Sequence, residues 1–511
     1  MTNTLQERQS VVGELQTAVR HTLVYGLGNA LAKALGFFML PFYTRYLNPV
    51  DYGVLEILDL SMSLFGMFLT MGMTAAVLRC YAAAESQEEK RKVISTALVF
   101  VLVTGFITFF VGLALIRPVS GMLFGPAVPA KYLLVSFSSF ICTYIVILPR
   151  TYLRALESSG TFTLVDNSGL CVMLGLNIYF IAVLKIGLVG ILLSALIVGT
   201  LQLVLLTMWA VRRVGIHLSF PWLTRMLRFG APLMFSNLAM FTLNFSDRFF
   251  LQHFRTLEVV GVYAVGYKFG YMVNYLVVQP FYVMWQARMY AVHDQPNHPK
   301  ILRQIFVLYS LLLIGFGLAL STLSPEIVHV MVGSRFSASQ AVIPIVVLAY
   351  VCWGIGFCAQ TGMFLTNNTK KIALVAAAAA VLNLGLNYIL VLHYGMMGAA
   401  WATLLSFMAL AVGSHFLSQR VFPLAWGSGR VTIAMMTAII LYGLSRWPHY
   451  SSFKTAVLVK VFLIAMFPIL LWTMRILSPA EVATIVEVRD RLLAKMYWLA
   501  GMLWRKEARA Q

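Results

Sequence analysis

Ten ionisable residues stand where an otherwise apolar chain would not be expected to carry charge, and their types suggest the chemistry of holding an anion. Lys33 lies about eleven residues, roughly 16 Å, into the first apolar stretch, too deep for its ammonium to reach either surface easily. A cation at that depth either meets a polar ligand or neutralises an internal carboxylate, and both readings stand. Lys268 is shallower, about eight residues from the end of its stretch, so reaching the surface competes with a binding role. Arg45 and Arg248 fall at matching places in two similar segments, where paired guanidinium groups suit bidentate contact with a phosphate-like anion or serve as interfacial anchors. Asp247 and Asp59 balance those cations or bind a coupling ion. Asp166, with Arg79, Arg150 and Arg154, forms a second charged group near the opposite ends of the stretches, suited to first capture of an anion but also explained as topology signals. The nine histidines have no paired ligand spacing, and no metal or cofactor site is expected.

The elements that must position these side chains are membrane-spanning helices. Hydrophobic residues make up 60% of the 511 and charged residues 11%, with a mean hydropathy of +0.83. A soluble domain carries about 25% charged residues. Apolar runs long enough to cross a bilayer recur at 22–46, 54–79, 93–115, 131–154, 162–184, 187–211, 229–251, 260–287, 302–323, 338–363, 371–392, 396–418, 430–446 and 455–475. The expected fold is therefore an all-α integral membrane protein of about fourteen transmembrane helices. The net charge of +20 does not point to nucleic acid, because Lys and Arg sit in short clusters between apolar runs. These clusters are Lys90 to Lys92, Arg212/Arg213/Arg225/Arg228, Arg288/Lys300/Arg303, Lys370/Lys371 and the C-terminal tail. With both termini cytoplasmic, roughly 26 Lys and Arg fall on the inner side and 9 on the outer. The five cysteines read as small core residues, and the polar first twenty residues do not form a cleaved signal peptide.

The chain repeats itself at an offset of about 203 to 210 residues. Phe42-Tyr43-Thr44-Arg45-Tyr46 is echoed by Phe245-Ser246-Asp247-Arg248-Phe249, and Arg150-Thr151 by Gln360-Thr361. Leu174-Gly175-Leu176-Asn177 followed by Gly187 and Gly190 is echoed by Leu384-Gly385-Leu386-Asn387 followed by Gly395 and Gly398. A six-helix unit repeats with parallel topology, an arrangement that sets a substrate site between two rocking halves. The expected organisation is a cytoplasmic segment 1–21, an N-terminal lobe 22–211, a linker 212–228, a C-terminal lobe 229–420, two further helices in 421–477 and a cytoplasmic amphipathic tail 478–511. Ser478-Pro479-Ala480-Glu481 has the form of a capped helix start for that tail. Residues 5–20 suit a shorter amphipathic stretch.

Several of these residues also carry a family resemblance. Arg45-Tyr-Leu-Asn-Pro-Val-Asp51-Tyr-Gly53, Asp247-Arg248 followed by Val260-Gly-Val-Tyr263, and Asn383-Leu-Gly-Leu-Asn387 leading to Gly395-Met-Met-Gly398-Ala-Ala-Trp-Ala-Thr403 are the stretches concerned. Over about residues 20–475 the chain resembles the Wzx-type oligosaccharide-lipid flippases of the multidrug/oligosaccharidyl-lipid/polysaccharide exporter superfamily. It is similar also to the lipid II flippases, whose two extra helices parallel the last two spans here. Drug antiporters of the superfamily are more distant in these motifs.

The resemblance implies two six-helix lobes around a central cavity, alternating access, and a polyprenyl-diphosphate-linked saccharide moved from the inner to the outer leaflet of a bacterial cytoplasmic membrane. No bond is broken, so no enzyme is expected. Lys33, Arg45, Arg248, Lys268, Arg79, Arg150 and Arg154 are then the candidates for diphosphate and sugar binding. Asp59, Asp166 and Asp247 are those for ion coupling or charge balance. Membrane lipid, a polysaccharide polymerase and glycosyltransferases are the expected partners. Lipid II is the alternative cargo. A drug or cation antiporter would want an acidic cavity, and a membrane polymerase a large outer loop with a carboxylate cluster.

Overall fold

The computed structural model describes residues 35–424, 426–447, 452–478, 481, 482 and 490, and among them every regular element is a helix. Lys33, the segment 1–21 and most of the tail beyond Ser478 lie outside the described residues. Helix α1 covers residues 35–46. It is followed by α2 (Pro49–Thr70), α3 (Met73–Ala83), α4 (Gln87–Phe124), α5 (Ala130–Ala155), α6 (Ser159–Ile178), α7 (Leu188–Val214), α8 (Phe220–Phe254) and α9 (Leu257–Val273). Then come α10 (Gln279–His293), α11 (His298–Thr322), α12 (Ser324–Met331), α13 (Ile343–Ala359), α14 (Thr361–Leu365), α15 (Thr369–Val421), α16 (Ser428–Arg446) and α17 (Phe453–Thr473).

Ten described segments are long and apolar enough to cross a membrane. The difference from fourteen has local causes. The first predicted span begins among residues not described. Spans predicted at 371–392 and 396–418 form one 53-residue helix, α15, bent where Gly395 takes φ 55° and ψ −130°. Gly187, its counterpart in the other copy, takes φ 59° and ψ −134° ahead of α7. The span predicted at 229–251 lies inside α8, where Ser236, Asn237, Thr242, Asn244 and Ser246 dilute the apolar content. That predicted at 260–287 is broken between α9 and α10 by a π turn, Asn274–Val278. One predicted span is itself broken: Met71 and Gly72, both in the left-handed region (φ 43° and 66°), divide α2 from α3.

Starts are fixed by local chemistry. Asn48 accepts a hydrogen bond from the Asp51 amide at 2.7 Å ahead of Pro49. Ser86 accepts from Glu89 ahead of α4, and Ser452 forms a capping box with Thr455 ahead of α17. The predicted start at Ser478 carries the reciprocal bonds of a capping box, Ser478 amide to Glu481 Oε2 at 2.7 Å and Glu481 amide to Ser478 Oγ at 3.3 Å.

The chain forms two compact units. One comprises residues through Gly266 with Val328–Ser339 and Ala380–Thr403. Its core gathers Val77, Ile94, Leu98, Tyr144 and Leu148 from α3, α4 and α5. Ser95 Oγ donates to the Gly215 carbonyl at 2.9 Å, and Thr96 Oγ1 accepts from the Ser219 amide at 3.0 Å, which fixes the turn from α7 into α8. The other unit comprises Tyr267–Ile327, Gln340–Ala379 and the chain from Leu404. There α11 packs against α13, α16 and α17. Trp285 Nε1 donates to Thr361 Oγ1 at 2.8 Å, and Lys460 on α17 meets Glu326 on α12 at 2.6 Å with both side chains buried. In hydrocarbon such polar ties and close packing, rather than water exclusion, hold helices together.

Candidate functional site

Within the first unit, α2 runs against α8 and the start of α9, and the sequence makes this seam tight at two places. A Cβ on Gly53 would collide with the Leu257 carbonyl, and one on Gly261 with the Pro49 carbonyl. Gly72 and Gly230 meet backbone to backbone in the same way farther along. Only glycine permits helices to approach this closely.

Three residues beyond Gly53, Glu56 reaches the guanidinium of Arg248, Oε1 to Nε at 3.6 Å, with both side chains buried. Arg248 also holds Asp247 Oδ1 through Nη1 at 2.6 Å and the Asn244 carbonyl at 2.8 Å. Asp247 Oδ2 accepts from the Tyr263 hydroxyl and, at 3.4 Å, from Thr403 Oγ1. Hydrogen bonds to Arg248 and Asp247 and the ion pair with Glu56 offset the cost of burying this charge group, and breaking one side leaves the other's charge uncompensated. The Pro49 end of the seam is covered further: Phe336, fully buried, packs edge-on against Tyr52, and the Gly333 amide donates to Thr44 Oγ1 at 3.2 Å.

The two sequence copies also make matching polar ties. Asn177 Nδ2 donates to the Tyr43 hydroxyl at 2.8 Å, joining α6 to α1. At the corresponding places Ser246 Oγ donates to Asn383 Oδ1 at 2.9 Å and Asn387 Nδ2 to the same oxygen at 3.0 Å, joining α8 to α15.

A second polar site lies among α5, α6 and α7, a pocket of about 290 Å³. Arg150 donates to Gln202 Oε1 at 2.7 Å and meets Asp166 Oδ1 at 3.3 Å, while Ser139, Thr143, Thr163 and Asn167 add hydroxyl and amide groups to the walls. Charge is balanced here and hydrogen-bonding capacity is high, a lining suited to a hydroxylated group.

The predicted site residues thus divide. Arg150 and Asp166 come together, as do Asp247 and Arg248. Arg45 and Arg248 do not form a matched pair, for Arg45 is exposed at the end of α1 while Arg248 is enclosed by carboxylates. Arg79 and Arg154 are exposed, each with its guanidinium over a phenylalanine ring, Phe229 at 4.3 Å and Phe162 at 4.8 Å. Asp59 on α2 and Lys268 on α9 are exposed. Lys33 lies outside the described residues. Glu56 and Gln202 are not among the site residues expected from the sequence. The signal for Glu56 was its charge inside an apolar run; Gln202 offered none.

Apolar helices of spanning length, tied by buried ion pairs, define a multi-pass membrane protein. The chain belongs to the family described as polysaccharide biosynthesis protein, whose model matches residues 18–284. Among solved structures it resembles the lipid II flippase MurJ in an inward closed conformation, at 13% identity and a TM-score of 0.71, over 89% of this chain and 100% of that one. It also resembles multidrug resistance MATE family transporters of the MOP superfamily. The inward-facing form matches at 16% identity and a TM-score of 0.59 over 76% of this chain and 97% of that one. The outward-facing form matches at 18% and 0.53 over 79% and 95%. No match to a curated protein sequence reaches significance. At these identities the structures establish a shared fold. The shared fold is that of the lipid II flippase and MATE transporter structures, and the family is one of polysaccharide biosynthesis proteins.

Proposed function

We propose that this protein moves a polyprenyl-diphosphate-linked oligosaccharide, the repeat unit of a surface polysaccharide, from the inner to the outer leaflet of a bacterial cytoplasmic membrane. The observation that carries the reading is the seam of α2 with α8 and α9, sealed at its Pro49 end by the Gly53–Gly261 approach and by Glu56 with Arg248. With the orientation expected from the positive charges, that end is the outer one, and the cargo enters from the inner side.

Flipping requires no covalent step. Its obstacle is the headgroup, since an unpaired charge or bare sugar hydroxyl is very costly in hydrocarbon. The Arg150–Asp166–Gln202 pocket supplies partners for sugar hydroxyls, and Arg79, Arg154 and Lys33 supply positive charge for the diphosphate. Alternating access then consists of parting the outer seam while the inner side closes, with the six-helix lobes 22–211 and 229–420 as the moving bodies. Arg248 acts in this scheme as a latch that carboxylates hold in the outward-closed state. Asp247, bonded to Arg248, Tyr263 and Thr403, supplies charge balance.

Lipid II is the second reading. The lipid II flippase structure is matched over its whole length and over more of this chain than the MATE transporters are. The test is translocation of a labelled polyprenyl-diphosphate oligosaccharide, beside lipid II, in vesicles reconstituted with the purified protein. Faster appearance of the first cargo in the far leaflet than in empty vesicles supports the proposal. Stimulation of neither rejects both readings.

A further inference from the structure

The seam that closes at Gly72 and Gly230 opens beyond them into a cleft of about 760 Å³ between the last turns of α3 and the first turns of α8. Arg79, Arg225 and Arg228 line it together with Phe220, Thr224 and Phe229. Arg79 lies over the Phe229 ring at 4.3 Å and Arg225 over Trp222 at 5.3 Å, so flat aromatic faces orient two of the three guanidinium groups. All three arginines are exposed, and among the described residues no carboxylate lies within ion-pair distance of any of them. In this they differ from Arg150, Arg248 and Arg430, each of which meets an Asp or Glu.

Three like charges around one cavity repel one another unless an anion sits among them. Guanidinium forks match phosphate oxygens in pairs, which lysines do not. The surroundings say what kind of phosphate. Phe220, on the wall of the cleft, is 70% exposed, and Ile216 and Leu218 on the adjoining turn are 70% and 48% exposed. Apolar side chains so placed on a membrane protein meet lipid rather than water, and Trp222 is of the type that sits at the interface.

We propose that the Arg79–Arg225–Arg228 cleft is a binding site for the phosphate or diphosphate group of a lipid, whose chain lies against Phe220 and the turn at 215–219. Two lipids offer this chemistry, the polyprenyl-diphosphate cargo and an ordinary anionic phospholipid. The site itself does not depend on the proposed function; only the identification of its occupant as cargo rests on that reading. If the occupant is cargo, the cleft is where the diphosphate docks before the saccharide enters the bundle.

The experiment uses full-length purified protein in detergent, with geranylgeranyl diphosphate and dioleoyl phosphatidylglycerol as probes and dioleoyl phosphatidylcholine as the neutral reference, bound complexes being counted by native mass spectrometry. The triple variant Arg79→Gln/Arg225→Gln/Arg228→Gln is expected to bind the diphosphate probe at least about tenfold more weakly. The triple Lys variant is expected to retain part of the affinity. Arg212→Gln/Arg213→Gln, which removes two exposed arginines at the end of α7, should bind as wild type does. Should the triple variant fail to fold, Arg225→Gln alone must still weaken binding. Phosphatidylglycerol that competes fully for the arginine-dependent site identifies an ordinary phospholipid as occupant, and failure to compete identifies the diphosphate lipid; either supports the site. Equal binding by the triple Gln variant, or equal loss in the Arg212/Arg213 variant, overturns it. Vesicles that bind the probe through these arginines yet move no lipid-linked saccharide leave the cleft standing and remove the flippase reading.

Discussion

Glu56 on α2 lies 3.6 Å from Arg248 on α8, and the pair joins helices that belong to different copies of the sequence repeat. Both side chains are buried, so the contact is little screened by solvent. Glu56→Gln removes the charge and keeps the shape, leaving Arg248 with Asp247 alone. The expected result is a shift toward separation of the Pro49 end of α2 from the Leu257 end of α9, by about tenfold or more in the open-to-closed ratio. Spin labels at Val50 and Glu258, both exposed, measure it by pulsed dipolar spectroscopy in a background free of the native cysteines. An unchanged distance distribution would mean that the pair holds nothing closed.

The glycine approaches give a steric counterpart. Gly53→Ala and Gly261→Ala each insert a methyl group into opposing backbone, which cannot retreat as a flexible side chain would. Both variants are expected to melt at lower temperature in detergent and to lose transport at normal membrane abundance. Gly121→Ala is the control, because nothing lies within 4 Å of a Cβ there. Replacing a helical glycine in open space stabilises by about 0.5–1 kcal/mol, so its melting temperature should hold or rise.

Much of this arrangement can be read in the residues, and the unreadable part has identifiable causes. Helix starts at Asn48-Pro49 and Ser478 follow from capping chemistry that acts within four residues, and Gly187 and Gly395 mark bends that only a glycine tolerates well. Membrane class follows from composition alone. Which charged residue of a span faces inward does not. Glu56 and Asp59 lie three apart on one helix, on nearly the same face, yet Glu56 is buried and Asp59 exposed. Packing of α8 decided between them, and helical period carries no record of it. The break at Met71–Gly72 is equally silent, since a methionine at positive φ is stabilised by its surroundings and not by its own preference.

Arg150 and Asp166 separate function from stability. Their side chains are 25% and 34% exposed, so the pair is partly screened and contributes at most about 1 kcal/mol to folding. Asp166→Asn and Arg150→Gln should therefore leave the melting temperature within a few degrees of wild type. Both should reduce transport of the lipid-linked saccharide severalfold, because each removes one charge of the balanced pair that lines the pocket. Parallel losses of melting temperature and transport would make the pair a structural tie instead.

Lys460 and Glu326 make the opposite case. Their 2.6 Å contact joins α17 to α12, and the side chains are 4% and 10% exposed. Lys460→Met strands the Glu326 carboxylate in an apolar surrounding, a loss of about 3–5 kcal/mol. Glu326→Leu strands the ammonium in the same way. The double variant Lys460→Met/Glu326→Leu leaves no charge behind, and apolar replacement of a buried pair is often neutral. Thermal melts in detergent should therefore place both single variants well below wild type and return the double variant to within a few degrees of it. A double variant as unstable as the sum of the singles would show that the two charges act independently, each through other partners. Transport by the recovered double variant then reports whether α17 needs its charge for anything beyond anchoring, and wild-type transport is the expected result.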